Sequence, residues 1–109
     1  MCIHNEAYNM EYLIDRLNGS INVITGNHCH LPYYNHPKIT MQNGLVSRYK
    51  MWLSHCPIHP EEMRGKLLNI HGHVHNNTIN DKMYLNVCCE NIDYKPISLD
   101  FIRKKALNE

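Results

Sequence analysis

The sequence predicts a mixed α/β fold. Three observations carry that expectation. Short apolar runs of strand length recur along the chain, segments of helical periodicity stand near both ends, and strand-like runs end directly in histidine-bearing loops. At 109 residues the chain is one small domain or part of a larger protein, since two domains of half this size would each lack a core.

The elements follow in order. Ala7 to Leu17 reads as a helix, with Tyr8, Tyr12, Leu13 and Leu17 on one face and Asn18-Gly19 to end it. Ile21 to Thr25 is a short buried strand, and Gly26-Asn27-His28 follows at its C-terminal end. Leu31 to His36 is loop. Lys38 to Gln42 is a strand, Asn43-Gly44 a hairpin turn signal, and Val46 to Ser54 the expected return strand. Pro60 to Arg64 suits one helical turn, with proline first, acids next and Gly65 at the end. Leu67 to Ile70 is an apolar strand running into His71-Gly-His-Val-His75. Asn76-Asn77 and Asn80-Asp81 mark turns, and Met83 to Cys89 is a strand. Ser98 caps a closing helix, Leu99 to Ala106, whose basic residues suit the helix dipole.

Charge is balanced, with 11 Lys+Arg against 10 Asp+Glu, so no basic stripe exists to grip nucleic acid by bulk electrostatics. No apolar run approaches the roughly 20 residues of a membrane span, and the N-terminus lacks the pattern of a signal peptide. A cytoplasmic location without membrane partners is the resulting expectation. The five cysteines lack CxxC spacing and read mainly as small buried hydrophobes. The nine histidines stand apart, because they cluster. His4, His30, His36 and His59 read as ordinary surface or core residues. Asn27, His28, His55, His73 and His75 each follow a strand, and loops at one sheet edge can bring such side chains together. Imidazoles with an amide oxygen suit a borderline cation such as Mn²⁺, Fe or Zn²⁺ better than Ca²⁺.

Thr25-Gly-Asn-His28, Leu53-Ser-His-Cys-Pro57 and His71-Gly-His-Val-His75 resemble, in order and spacing, the last three signature blocks of the calcineurin-like metallophosphoesterases. The resemblance runs from about Glu11 to Ile102 and is closest to the small single-domain phosphoesterases of phages and bacteria. It implies the C-terminal part of an αββα sandwich with mixed β-sheets. It also implies hydrolysis of phosphomono- or diesters by a metal-activated water, with one or two divalent ions (Mn²⁺, Zn²⁺ or Fe). By resemblance Asn27, His55 and His73 bind one metal and His75 the other. His28 would sit over the phosphate and protonate the leaving oxygen. A phosphoester, a nucleotide among the candidates, is the implied substrate, and Tyr33, Tyr34 and Trp52 are either base-stacking or packing residues.

The sequence departs from the family in two places. The earlier Asp-x-His and Gly-Asp blocks have no match, since none of Asp15, Asp81, Asp93 and Asp100 precedes a histidine by two places and no glycine precedes an aspartate. Residues 1–109 are therefore expected to form one N-terminally truncated domain with impaired activity. Three outcomes follow for its open apolar sheet edge: a fragment of a longer reading frame, which is the leading expectation, a homodimer that covers the edge, or rearrangement of Met1 to Glu6 with His4 or Glu6 as substitute ligands. Cys29 stands where the family places an acid, and reads as a thiolate orienting His28, a soft metal ligand or an ordinary small residue. Two other functions remain open: a catalytically inactive binding or regulatory module, and a structural zinc domain drawing on Cys56 beside His55.

Overall fold

The computed structural model describes residues 14–26, 37–42 and 44–108. It is mixed α/β, with a two-stranded and a four-stranded sheet, and the chain divides into two compact units, Met1–Gly44 and Leu45–Glu109. No helix among the described residues is long and apolar enough to cross a membrane.

In the first unit, residues 14–16 are helical, and Gly19, at φ +81°, takes the left-handed conformation that ends the expected helix. Strand β1 (Ile21–Ile24) pairs in parallel with β2 (Ile39–Gln42), Ile21 opposite Ile39. The Lys38 ammonium donates to the carbonyls of Asp15 and Leu17, each at 3.0 Å, which places a cation on the carbonyls ending the helical turn. Among the described residues of this unit, Ile14 and Val23 are the buried apolar ones. The Ala7–Lys38 expectations that fall on residues 7–13 and 27–36 lie outside the described residues.

The second unit is built on a four-stranded sheet in the order β3-β4-β5-β6, from Leu45–Arg48, Met51–Ser54, Leu68–His71 and Tyr84–Asn86. β3 and β4 are antiparallel, whereas β4, β5 and β6 run parallel to one another. Here the structure corrects the sequence. The expected strand Val46 to Ser54 is itself a hairpin, turned at Tyr49 and Lys50, which both take left-handed φ values of +52° and +63°. Two successive left-handed residues make the turn whose twist suits paired strands, but asparagine and glycine are its usual occupants. The Asn43-Gly44 signal drew the turn to the wrong place, and β2 takes β1 as its partner. The strand expected at Met83 to Cys89 is also shorter, because Cys89–Asn91 coil into a 3-10 turn.

Alternation of side chains gives this sheet two unlike faces. Met51, Leu68 and Ile70 point to one side and pack with Ile102 and Ala106 of the closing helix α1 (Leu99–Asn108), with Leu53, Leu85, Val87 and Ile97 around them. Ile102 and Ala106 are four apart and so share one helix face. The Ser98 hydroxyl accepts from the Phe101 N–H at 3.2 Å and caps α1 as expected. Trp52, Ser54, Asn69, His71, Tyr84 and Asn86 alternate with these residues and point to the other side. Asn69, His71 and Asn86 are nonetheless buried, so this polar face lies under the loops that join the strands.

Candidate metal centre

Parallel strands end at the same edge. The residues after β4, β5 and β6 are therefore neighbours, and these are 55–56, 72–75 and 87–91. Backbone hydrogen bonds join the three segments: Gly72 N–H to the His55 carbonyl and Val87 N–H to the His71 carbonyl, both at 2.8 Å. This edge carries every described residue that the sequence marked for metal binding.

His55 and His73 meet there. Their rings stand edge to face with centroids 4.9 Å apart, and His55 Nε2 faces His73 Nδ1 at 3.1 Å. Cys56 joins them, its Sγ and one nitrogen of each ring all lying within 4.8 Å of one another. The two ring nitrogens stand at a separation that suits a hydrogen bond between the rings and also a shared cation. Two nitrogens bound to a tetrahedral zinc at its usual bond lengths lie about 3.3 Å apart, close to the observed separation, while a nitrogen and a thiolate lie about 3.6 Å apart. His55 is partly buried, and Cys56 and His73 are exposed, so the group opens to solvent.

The loop that delivers His55 and Cys56 is pinned from beneath by the polar sheet face. Asn69, fully buried, accepts from the Ile58 N–H at 3.0 Å and donates to the Trp52 carbonyl and the Ser54 hydroxyl. The Ser54 hydroxyl in turn donates to the Cys56 carbonyl at 2.6 Å. The Tyr84 hydroxyl donates to the Ile58 carbonyl at 2.7 Å. Burial, and then the Asp81 carboxylate, push the Tyr84 phenol above its ordinary pKa, which keeps it a neutral donor. The Trp52 indole N–H is shared between the carbonyls of Glu62 and Met63, which secures the loop, and the Lys66 ammonium stands over its ring at 4.9 Å from the centroid. The 3-10 turn Pro60–Glu62 sits in this loop, and His59 Nδ1 accepts from the Glu61 N–H to cap it.

The second histidine loop is held in an uncommon conformation. His73 and His75 both have positive φ, +71° and +52°. The His75 carbonyl accepts from the side-chain amides of Asn86, at 2.7 Å, and Asn91. Asn86 also accepts from the Cys88 N–H at 2.9 Å, which ties the loop to the end of β6. The His75 ring turns to Glu90, with Nδ1 at 2.8 Å from Oε2. Glu90's own backbone N–H and then the His75 ring hold its carboxyl below the ordinary range. Burial raises the Cys88 thiol, against opposing hydrogen bonds from the backbone of His75 and Val74. Cys88 is a half-buried thiol under the histidine loop, whereas Cys56 and Cys89 are exposed, so the described cysteines are not the buried hydrophobes expected from sequence.

Of the five residues marked from sequence, His55 and His73 come together. His75 stands on the same loop and pairs with Glu90, while Asn27 and His28 lie outside the described residues. Glu90 went unmarked, because nothing in its sequence surroundings separates it from a surface acid. Cys56 could be noticed, by its adjacency to His55, but its Sγ joins the rings only through the bend that follows β4.

The chain is similar to an uncharacterized protein of Methanocaldococcus jannaschii, 34% identical over 107 residues, with 92% of this chain and 57% of that protein aligned. It thus spans little more than half the length of that relative. No protein-family model matches the chain, and no solved structure does.

Proposed function

We propose that this chain forms part of a metal-dependent phosphoesterase acting on small phosphomono- or diesters, nucleotides among them. The observation that carries the reading is the opposed pair of nitrogens, His55 Nε2 and His73 Nδ1 at 3.1 Å, at the C-terminal edge of parallel strands. The order of the Gly-Asn-His, Ser-His-Cys-Pro and His-Gly-His-Val-His segments supports the same reading. His55 and His73 hold a divalent cation, and Cys56 adds a soft donor that favours Zn²⁺ over Mn²⁺. A cation in such a site polarises a phosphoryl oxygen and lowers the pKa of a bound water. His75 presents a further imidazole for a second ion. His28 serves as the proton donor to the leaving oxygen, and Asn27 as an oxygen ligand.

A second reading has its own observation. Cys56 beside two imidazoles is a donor set that structural zinc sites also use. The two readings differ in what metal removal does. The apolar face of the sheet packs on α1 through Met51, Leu68, Ile70, Ile102 and Ala106, none of which belongs to the cluster. A catalytic ion should therefore leave without melting the fold, whereas a structural ion should take the fold with it.

The test is metal content with hydrolysis of an aryl phosphodiester. The purified chain should retain zinc, and H55A and H73A should each lose it. Hydrolysis in the presence of Zn²⁺ or Mn²⁺ should stop on chelation and in H28A. Turnover that ignores chelator would reject the phosphoesterase reading, and unfolding on chelation would favour the structural one.

A further inference from the structure

Three side chains converge on His75 from the end of β6 and the turn that follows it. Asn86 and Asn91 both donate to its carbonyl, Glu90 engages its ring, and Cys88 lies beneath the same loop with its Sγ 3.8 Å from where a Cβ on Gly72 would stand. Glu90 and Asn91 belong to one 3-10 turn, Cys89–Asn91, so a single short element grips both the backbone and the ring of one residue. The Thr78 hydroxyl donates to Asn91 Oδ1 at 3.3 Å and keeps the Asn91 amide turned toward His75. Yet the His75 side chain is 77% exposed. An exposed histidine in a left-handed conformation has no packing reason to be held so closely.

The chemistry of the contact fixes more than position. A carboxylate can only accept, so the hydrogen between Glu90 Oε2 and His75 Nδ1 sits on Nδ1. In the neutral ring Nε2 then carries the bare lone pair, and among the described residues it has no partner. A carboxylate behind one ring nitrogen and an open lone pair on the other is the arrangement by which proteins orient histidine ligands.

We infer that Glu90 is a positioning residue for His75, holding the ring in its Nδ1–H tautomer so that Nε2 is presented outward as a donor to a divalent cation. The cation rests on the function proposed above, whereas the tautomer stands on the geometry alone. Glu90 also brings a carboxylate to this edge, where the described histidines bring none. It acts through the imidazole and is not assigned as a ligand.

The experiment reads the ring nitrogens of His75 by NMR in the metal-free chain, at about pH 8.5, above the ordinary imidazole range. The wild type should show Nδ1 protonated and Nε2 bare. E90A should lose that preference, and E90Q should keep it, because an amide oxygen still accepts from Nδ1–H. A wild-type ring protonated on Nε2, or an E90A spectrum identical to wild type, overturns the inference. Affinity for a second Zn²⁺, beyond the one held by His55 and His73, should fall on the order of 10- to 100-fold in E90A and recover in E90Q. A loss that E90Q does not recover also overturns the positioning role. Because the tautomer is read without metal, its failure is separate from a failure to bind zinc.

Discussion

The two faces of the four-stranded sheet are made of the same strands and do different work. On one face Met51, Leu68 and Ile70 bury apolar surface against α1, which holds the unit together without regard to direction. On the other, Asn69, Tyr84 and Asn86 are buried but directional, each making a hydrogen bond with a backbone group of a connecting loop. The apolar face supplies stability. The polar face supplies the placement of loops 55–63 and 72–78, and with it the candidate metal centre. Hydrogen bonds suit that task because a misplaced loop leaves a buried donor or acceptor unpaired.

The contrast can be broken by substitution on either face. L68A should cost the most stability, about 2–5 kcal/mol as a buried leucine truncation, read by denaturant unfolding. The molecules that remain folded should bind zinc as wild type does. A loss of zinc affinity per folded molecule would erase the division of labour between the faces.

N69L should cost less, about 1–3 kcal/mol, because it leaves the Ile58 N–H and the Ser54 hydroxyl without their buried partner. Its larger effect should fall on zinc affinity, since the loop bearing His55 and Cys56 loses its anchor. Isothermal titration of N69L beside L68A compares the two faces directly. The faces are equivalent if both variants lose affinity in proportion to stability.

The smallest effect is expected from Y84F, about 1 kcal/mol for the hydroxyl bond to the Ile58 carbonyl. This variant also has a pH signature. The Tyr84 pKa is raised in the fold, so its contribution is fully present below the ordinary tyrosine value near 10 and declines as pH rises through the higher folded value. The wild type should therefore lose stability in strong alkali, and Y84F should lose less of it. Equal alkaline slopes would remove Tyr84 from the set of loop anchors.

The strands were readable where burial writes a plain pattern. Ile21 to Ile24, Ile39 to Gln42 and Leu68 to Ile70 announce themselves as short apolar runs, and Ser98 announces α1 through its cap. The hairpin was not readable, because Tyr49 and Lys50 carry none of the side-chain preference that marks left-handed residues. Strand partners were misassigned for the same reason. His55 and His73 could be paired in advance only as loop residues after strands. That their nitrogens face each other depends on β4 and β5 being parallel neighbours, which no local pattern encodes.

The chain order of residues thus determined which side chains follow which strands, because alternation, apolar runs and caps are properties of near neighbours. It marked the histidines and noted a cysteine beside one of them. The tertiary structure alone decided that Cys56 stands with His55 and His73, that Glu90 holds His75, and that buried Asn69 anchors the loop between β4 and β5. Those are contacts between segments 11 or more residues apart or across a bend, and they exist only once parallel strands bring their ends to a common edge.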